Sequence, residues 1–264
     1  MRIRIIGCTG SMSGPASPAS CYLVQAEGPD GHGGQRTWNV VLDLGPGSFG
    51  VLWRVLDPRL LDAIVISHGH ADHMGDIISV QVHRQWGPAK DLPPVLLAGP
   101  DGILERVQQI DGAGPEETYP EVFDVHIMHA HEAFQVGPLT LTPHQAWHSA
   151  PCFGNRIVGP SDLDPSKQAS MFFTGDSDLV DTLVEGARGV DLLLSEAGFT
   201  DADQVRGIHM TGERAGQLAT RAGVRRMVLT HIQPWTSHEE VLTSVRRSFT
   251  GEVEVTRAGE VYVI

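Results

Sequence analysis

A chain of 264 residues, 41% of them hydrophobic, is long enough to bury a full core, and its Gly and Pro are scattered rather than gathered into a low-complexity block. The formal net charge of −13 and the lack of any Lys/Arg run argue against a grip on long nucleic acid, because polyanion binders draw most of their affinity from clustered basic contacts to phosphate. No apolar run could span a bilayer, the start Met1-Arg2-Ile3-Arg4-Ile5-Ile6 lacks a signal-peptide pattern, and Cys8, Cys21 and Cys152 lack CxxC spacing. The expectation is one cytoplasmic domain over residues 1–264 with buried thiols, no disulfide framework and no thiolate metal site.

In chain order, β-branched and apolar runs bounded by Gly and Pro predict strands at Arg2 to Gly7, Cys21 to Ala26 and Thr37 to Leu44, with a turn at Gly28 to Gly34. Apolar periodicity predicts a helix over Phe49 to Leu56, and a short buried strand follows at Ala63 to Ile66. Helices at Ile77 to Trp86 and Ile103 to Ile110 flank a strand at Val95 to Leu97. Strand patterns return near Val122 to Met128, Leu139 to Thr142, Arg156 to Val158 and Met171 to Phe173. Helices at Leu179 to Ala187, Glu213 to Ala222 and Glu239 to Phe249 then interleave with strands at Leu192 to Leu194, Met227 to Leu229 and Glu252 to Val255. Two β-rich halves, each gaining helices toward its end, predict two sheets packed face to face with helices outside.

The chemistry concentrates in Ser67-His68-Gly69-His70-Ala71-Asp72-His73, directly after an apolar strand. Three imidazoles and a carboxylate in six positions suit metal ligation, and in a loop the first two histidines can face one ion and the next two groups a neighbour. On a regular helix residues two apart diverge, so a loop is expected, with Gly69 supplying the freedom. His148, Asp176 and His231 each follow another hydrophobic run, where a sandwich presents them on one rim. Asp43, at a strand end, reads as a partner that orients a ligand rather than as a ligand.

The HxHxDH cluster with the later histidine, aspartate and histidine resembles the metallo-β-lactamase superfamily. The resemblance implies an α+β fold, a four-layer αββα sandwich with a dinuclear site on one edge. Carried over, His68, His70 and His148 would hold the first ion, Asp72, His73 and His231 the second, and Asp176 would bridge. Zinc is the expected metal, with manganese or iron compatible. The bridging aspartate resembles the phosphodiesterase and ribonuclease Z branch, and also the lactonases and glyoxalases, more than the β-lactamases proper.

Ser195-Glu196-Ala197-Gly198-Phe199 and His209-Met210-Thr211-Gly212 resemble the ribonuclease Z glutamate and histidine motifs, where the pair assists the leaving oxygen. Gly7-Cys8-Thr9-Gly10-Ser11 and Leu229-Thr230-His231-Ile232-Gln233-Pro234-Trp235 resemble actinobacterial cyclic-AMP phosphodiesterases over nearly the whole chain. The segment after Asp76 lacks the Gly-Leu-Pro-Gly-Leu pattern of ribonuclease Z, and no Gly- and Lys-rich tRNA arm is visible. The expected function is therefore hydrolysis of a small 3′,5′-cyclic nucleotide, cyclic AMP to 5′-AMP, with Asp72, Glu196 and His209 as the catalytic residues. The alternatives are a ribonuclease Z-like tRNA 3′-processing nuclease and a lactonase or thioesterase, and a homodimer is implied by the resemblance alone. Three features keep a plain structural reading beside the functional one. The Gly7–Ser11 turn could cradle phosphate through backbone N–H groups but carries no GxGxxG or Walker signature, Trp235 could stack on a base or pack its loop, and His126, His129, His131 and His144 read as structural or solvent-facing.

Overall fold

Alternation along the strands decides the layers, and the computed structural model describes it for residues 1–264. The first sheet comprises β1 (Arg2–Gly7), β2 (Cys21–Pro29), β3 (Gln35–Leu42), β4 (Ala63–Val65), β5 (Val95–Gly99) and β6 (Phe123–Ile127) in that order. The second runs β7 (Phe134–Val136), β8 (Leu139–Gln145), β9 (Phe153–Pro160), β10 (Gln168–Phe173), β11 (Leu192–Glu196), β12 (Arg226–Thr230) and β13 (Glu252–Val255). The last strand, β14 (Val261–Val263), returns to the outer edge of the first sheet beside β1.

Met171 and Phe173 of β10 point between the sheets with Val40, Leu42, Val65, Leu194 and Val228, whereas Phe172 points outward against Leu183, Leu218 and Val245 of the helices. In the first sheet Val41 and Ile64 turn outward in the same way, onto Leu52, Ile77 and Val107. Those outer layers are α1 (Ser48–Trp53), α2 (Ala71–Met74), α3 (Ile77–Gln85) and α4 (Ile103–Asp111) on one side. On the other lie α5 (Asp181–Gly186), α6 (Gly212–Ala222) and α7 (His238–Val245). The result is the expected four-layer αββα arrangement. Truncating a side chain as deeply buried as Phe172 costs about 3–5 kcal/mol.

Local chemistry sets the helix ends. The Thr211 side chain caps α6 by accepting from the Arg214 N–H, and Gly223 ends it at φ 68°. Glycines four apart on α6 let α7 close on it, since a Cβ at Gly212 or Gly216 would come within 2.6 Å of the Val241 or Val245 carbonyl oxygen. No helix is long and apolar enough to cross a membrane.

Several sequence boundaries shift for identifiable reasons. β3 stops at Leu42 because Asp43 takes the left-handed φ of 56°. The Gly28–Gly34 turn is narrower than expected, as β2 continues to Pro29 and β3 starts at Gln35. Arg156 to Val158 is only the middle of the longer β9, and α5 starts at Asp181 rather than Leu179. β7 and β14 went unseen; each has three residues, too few to display a period.

What matters for function is polarity. β3 to β6 are parallel, as are β10 to β13, so their C-terminal ends gather on one rim of the sandwich. Asp43, Ser67-His68, Asp176, Glu196 and His231 all sit at or just past such ends. Open α/β sheets place ligands at that edge.

Candidate metal centre

The rim brings all seven expected ligands together in two groups whose donor atoms lie within 4.8 Å of one another: His68, His70 and His148, and Asp72, His73, Asp176 and His231. Only part of the histidine cluster is loop, however. His70 is the N-cap of α2, and Asp72 and His73 lie on that four-residue helix. Being consecutive there rather than two apart, they can serve the same group.

In the first group the His68 Nε2 and His148 Nε2 atoms lie 3.0 and 3.1 Å from His70 Nδ1. The far side of each ring is already committed. His148 Nδ1 donates to the Ile208 carbonyl at 2.8 Å, and His68 Nδ1 donates to Ser67 Oγ at 3.0 Å, because the Ser67 hydroxyl itself donates to Asp43 Oδ2 at 2.9 Å. The two near nitrogens therefore carry lone pairs, and they converge. Burial lowers the proton affinity of His68, His70 and His148, which keeps these rings neutral and fit for ligation. Converging lone pairs repel unless a cation lies between them, so the residues present fit a metal ion.

The second group is richer in negative charge. His73 Nδ1 donates to Asp43 Oδ2 at 2.6 Å, and its Nε2 lies 3.2 Å from Asp176 Oδ2 and 3.3 Å from Asp72 Oδ2. Burial opposes a charged His73, but Asp176 and Asp43 outweigh it and raise its proton affinity well above the histidine range. Burial also opposes ionised Asp72 and Asp176, yet His231 and His73 hold both well below the usual carboxylate range. This pocket attracts positive charge, and a divalent ion answers the same demand. Asp176 Oδ2 also lies 3.8 Å from His68 Nε2, which puts it between the groups.

Asp43 takes the place expected of it. It is fully buried and accepts the Ser67 N–H at 2.7 Å as well as the Ser67 hydroxyl and His73, so one carboxylate orients residues facing both groups. Asp43, His231 and Ser11, whose N–H lies 3.3 Å from His231 Nε2, have φ of 56°, 55° and 63°, so three of the chain's five left-handed non-glycine residues stand at this rim.

Glu196 and His209 meet beside the centre. Glu196 is fully buried; its Oε1 accepts from Ser177 N–H at 2.9 Å and His209 Nδ1 at 3.0 Å, and its Oε2 from Gly198 N–H at 2.7 Å. Burial disfavours protonated His209, but Glu196 and Asp176 overcome that and raise its pKa to about 9. His209 Nδ1 is 3.7 Å from Asp176 Oδ2, and the ring packs 5.3 Å from each of His148 and His231 and edge-on to Phe199. With Nδ1 held by Glu196, Nε2 is the nitrogen left for a substrate oxygen. His209 could itself join a metal-binding group with His148 and Asp176, but its bond to Glu196 gives it a different employment.

The Gly7–Ser11 turn is no phosphate cradle. Thr9 and Gly10 N–H donate to the Pro18 and Ile232 carbonyls, and the Ser11 N–H lies 3.3 Å from His231 Nε2, so the turn docks onto the His231 segment. Trp235 is 73% exposed and does not pack its loop. His126, His129 and His131 stay at or near the surface, while His144 is buried between His131 and Phe172. Sequence reasoning missed Arg106, whose Nε donates to the Gly69 carbonyl at 2.8 Å between His68 and His70, beside a cleft of about 320 Å³ lined by Gly69 and His70. It also missed Asp178, whose only visible signal was a second acid two residues after Asp176.

A family model described as the β-lactamase superfamily domain matches residues 39–232. The chain is 36% identical over 267 residues to an uncharacterised protein of Mycobacterium tuberculosis, covering 100% of this chain and 92% of that one. It is 27% identical over 265 residues to the probable metallo-hydrolase YhfI of Bacillus subtilis, covering 99% of each. It superposes on the crystal structure of that metallo-β-lactamase-fold protein with a TM-score of 0.83 and 25% identity, over 99% of this chain and 98% of the other. Ribonuclease Z of Myxococcus xanthus is 27% identical over 263 residues, covering 82% of this chain and 85% of that one. Matched along most of its length and built on the metallo-β-lactamase fold, the chain belongs to the β-lactamase superfamily.

Proposed function

We propose that this protein is a dinuclear-metal phosphodiesterase acting on small 3′,5′-cyclic nucleotides, with cyclic AMP converted to 5′-AMP. The observation that carries this reading is the buried Glu196–His209 pair, set 3.7 Å from the shared aspartate Asp176 beside seven converging ligands. Hydrolysis of a thioester, whose thiolate leaves without a proton, gives such a pair no evident task. A ribose alkoxide, by contrast, is too basic to leave without a proton.

His68, His70 and His148 would hold one ion and Asp72, His73 and His231 the other, with Asp176 shared. Two divalent ions held there would supply hydroxide at neutral pH and positive charge toward the phosphoryl oxygens. Asp72 accepts from and aims the attacking oxygen. As that oxygen bonds to phosphorus, the P–O3′ bond breaks, its electron pair stays on O3′, and His209 Nε2 delivers a proton there. Glu196 keeps His209 protonated near neutral pH and fixes the ring through Nδ1. The net charge of −13 sits mostly at a distance, where salt screens it from an anionic substrate.

A second reading, a ribonuclease Z-like nuclease, draws on the identity to the Myxococcus enzyme and on the same Glu–His pair. Cyclic mononucleotides, a precursor tRNA and a lactone, each incubated with zinc-loaded protein of measured metal content, separate these readings. Cyclic AMP turnover is expected. Cleavage of the tRNA precursor without turnover of any cyclic nucleotide would overturn the assignment.

A further inference from the structure

Beside the reacting groups lies a carboxylate that meets no solvent. Asp178, two residues past Asp176, is fully buried and accepts four donors. Oδ1 accepts from Arg214 Nη1 at 2.6 Å and the Leu179 N–H at 2.7 Å, while Oδ2 accepts from the Gly207 N–H at 2.9 Å and from Arg206 Nε. Arg214 belongs to α6, and Arg206 and Gly207 to the loop between β11 and α6. A third segment joins through the backbone: the Asp178 N–H donates to the Trp147 carbonyl at 2.9 Å, and the Trp147 N–H donates to Ser177 Oγ at 2.9 Å.

Each of these segments continues directly into a group the reaction needs. Trp147 precedes His148. Gly207 precedes Ile208, whose carbonyl accepts from His148 Nδ1, and then His209. The fit is close, since a Cβ on Gly207 would lie 2.7 Å from Trp147 Nε1, so the indole sets how near the loop comes. One buried anion thus joins the segments bearing Asp176, His148 and His209, which are far apart in the chain. Its hydrogen-bonding capacity is filled, as a carboxylate out of water requires.

We propose that Asp178 is a positioning residue that holds the proton donor His209 in register with Asp176. The proposal rests on the reading above that His209 protonates a poor leaving group. A displacement of about 1 Å in a reacting group can cost about 10²-fold in rate. Loosening the 206–209 loop therefore penalises substrates that need the proton and spares those that do not.

The test compares Asp178→Asn and Arg206→Ala with the parent, all zinc-loaded and of measured metal content. Their substrates are cyclic AMP, which leaves as an alkoxide, and bis(p-nitrophenyl) phosphate, which leaves as a stabilised aryl oxide. Amide hydrogen exchange of Gly207 to Met210 is followed in parallel, as a readout independent of turnover. The Arg206 side chain is 55% exposed, so its removal opens half of the contacts to Oδ2 without emptying the core.

Asp178→Asn is expected to lower kcat on cyclic AMP by about 10²-fold with little change in KM, to leave the aryl ester nearly untouched, and to speed exchange at Gly207–Met210. Arg206→Ala should move the same readouts less. Equal losses on both substrates, or unchanged exchange in both variants, overturn the proposal. A parent enzyme inert toward both substrates defeats the phosphodiesterase reading instead, and the exchange data still decide whether Asp178 holds the loop.

Discussion

The two rims of the sandwich are built from the same strands and differ in almost everything else. At one rim the C-terminal ends of the parallel strands present the seven expected ligands, three left-handed non-glycine residues and imidazole lone pairs that face each other. At the opposite rim, where β1 begins and β9 ends, the charges are matched. The amino group of Met1 and Arg2 Nη1 lie 2.7 and 2.8 Å from the Asp162 carboxylate, and Ile264 N–H donates to the Met1 carbonyl. At one end opposite charges pair with one another, whereas at the other donor atoms of like kind converge. Functional sites commonly show such a departure from local matching.

The largest effect expected from breaking this contrast comes at Asp176, the one residue between both ligand groups. Asp176→Ala removes the shared carboxylate and should lower phosphodiester turnover on the order of 10³-fold, with zinc content falling below that of the parent. Kinetics on cyclic AMP with metal analysis of the same preparation check it, and a variant with full metal content and near-parental rate would remove Asp176 from the centre. Next comes His209→Ala, which leaves the ligands in place. A loss of about 10²-fold or more is expected on substrates with alkoxide leaving groups. A thioesterase would be indifferent, so near-normal activity in this variant favours that alternative.

Smaller but more selective is Asp43→Asn. Asp43 touches no substrate; it orients His73 directly and His68 through Ser67. Partners of this kind typically contribute 10- to 100-fold in metal affinity, so roughly that loss is expected, greater for the group containing His73, whose contact is direct. Competition with a graded chelator reads it as one ion released well before the other. Simultaneous release at the parental chelator concentration would contradict the asymmetry.

The same two rims explain what could be read from sequence. His68-Gly69-His70-Ala71-Asp72-His73 is contiguous, so its chemistry needs no fold to be visible, and Asp43 was legible as a polar residue ending an apolar strand. The short α2 under Asp72 and His73 was not, because four residues hold barely one turn of period. Asp178 illustrates the harder limit. Its partners Arg206 and Arg214 lie 28 and 36 residues away, and nothing local distinguishes them from surface arginines until the loop after β11 closes over β10. Nor did any residue type betray His144 as buried; its place against Phe172 comes from sheet register and helix packing.

The smallest expected effect belongs to the matched rim. Burial works against ionised Asp162, but the amino terminus and Arg2 hold its pKa below the usual carboxylate value. A carboxylate depressed in the folded state stabilises the protein above its unfolded pKa of about 3.9, and that contribution fades as pH falls through the folded value. Part-exposed ion pairs contribute less than about 1 kcal/mol each, so Asp162→Asn should cost roughly that much at pH 7. The difference from the parent should shrink below about pH 4, where the carboxylate of the unfolded chain takes up a proton before that of the folded one. Thermal unfolding at pH 7 and again under acid measures both parts. Turnover should be unchanged, because no element links Asp162 to the ligands except the length of the strands. If Asp162→Asn instead lowered cyclic AMP hydrolysis, the separation of a functional rim from a structural one would fail, and strain at one end would have to be balanced at the other.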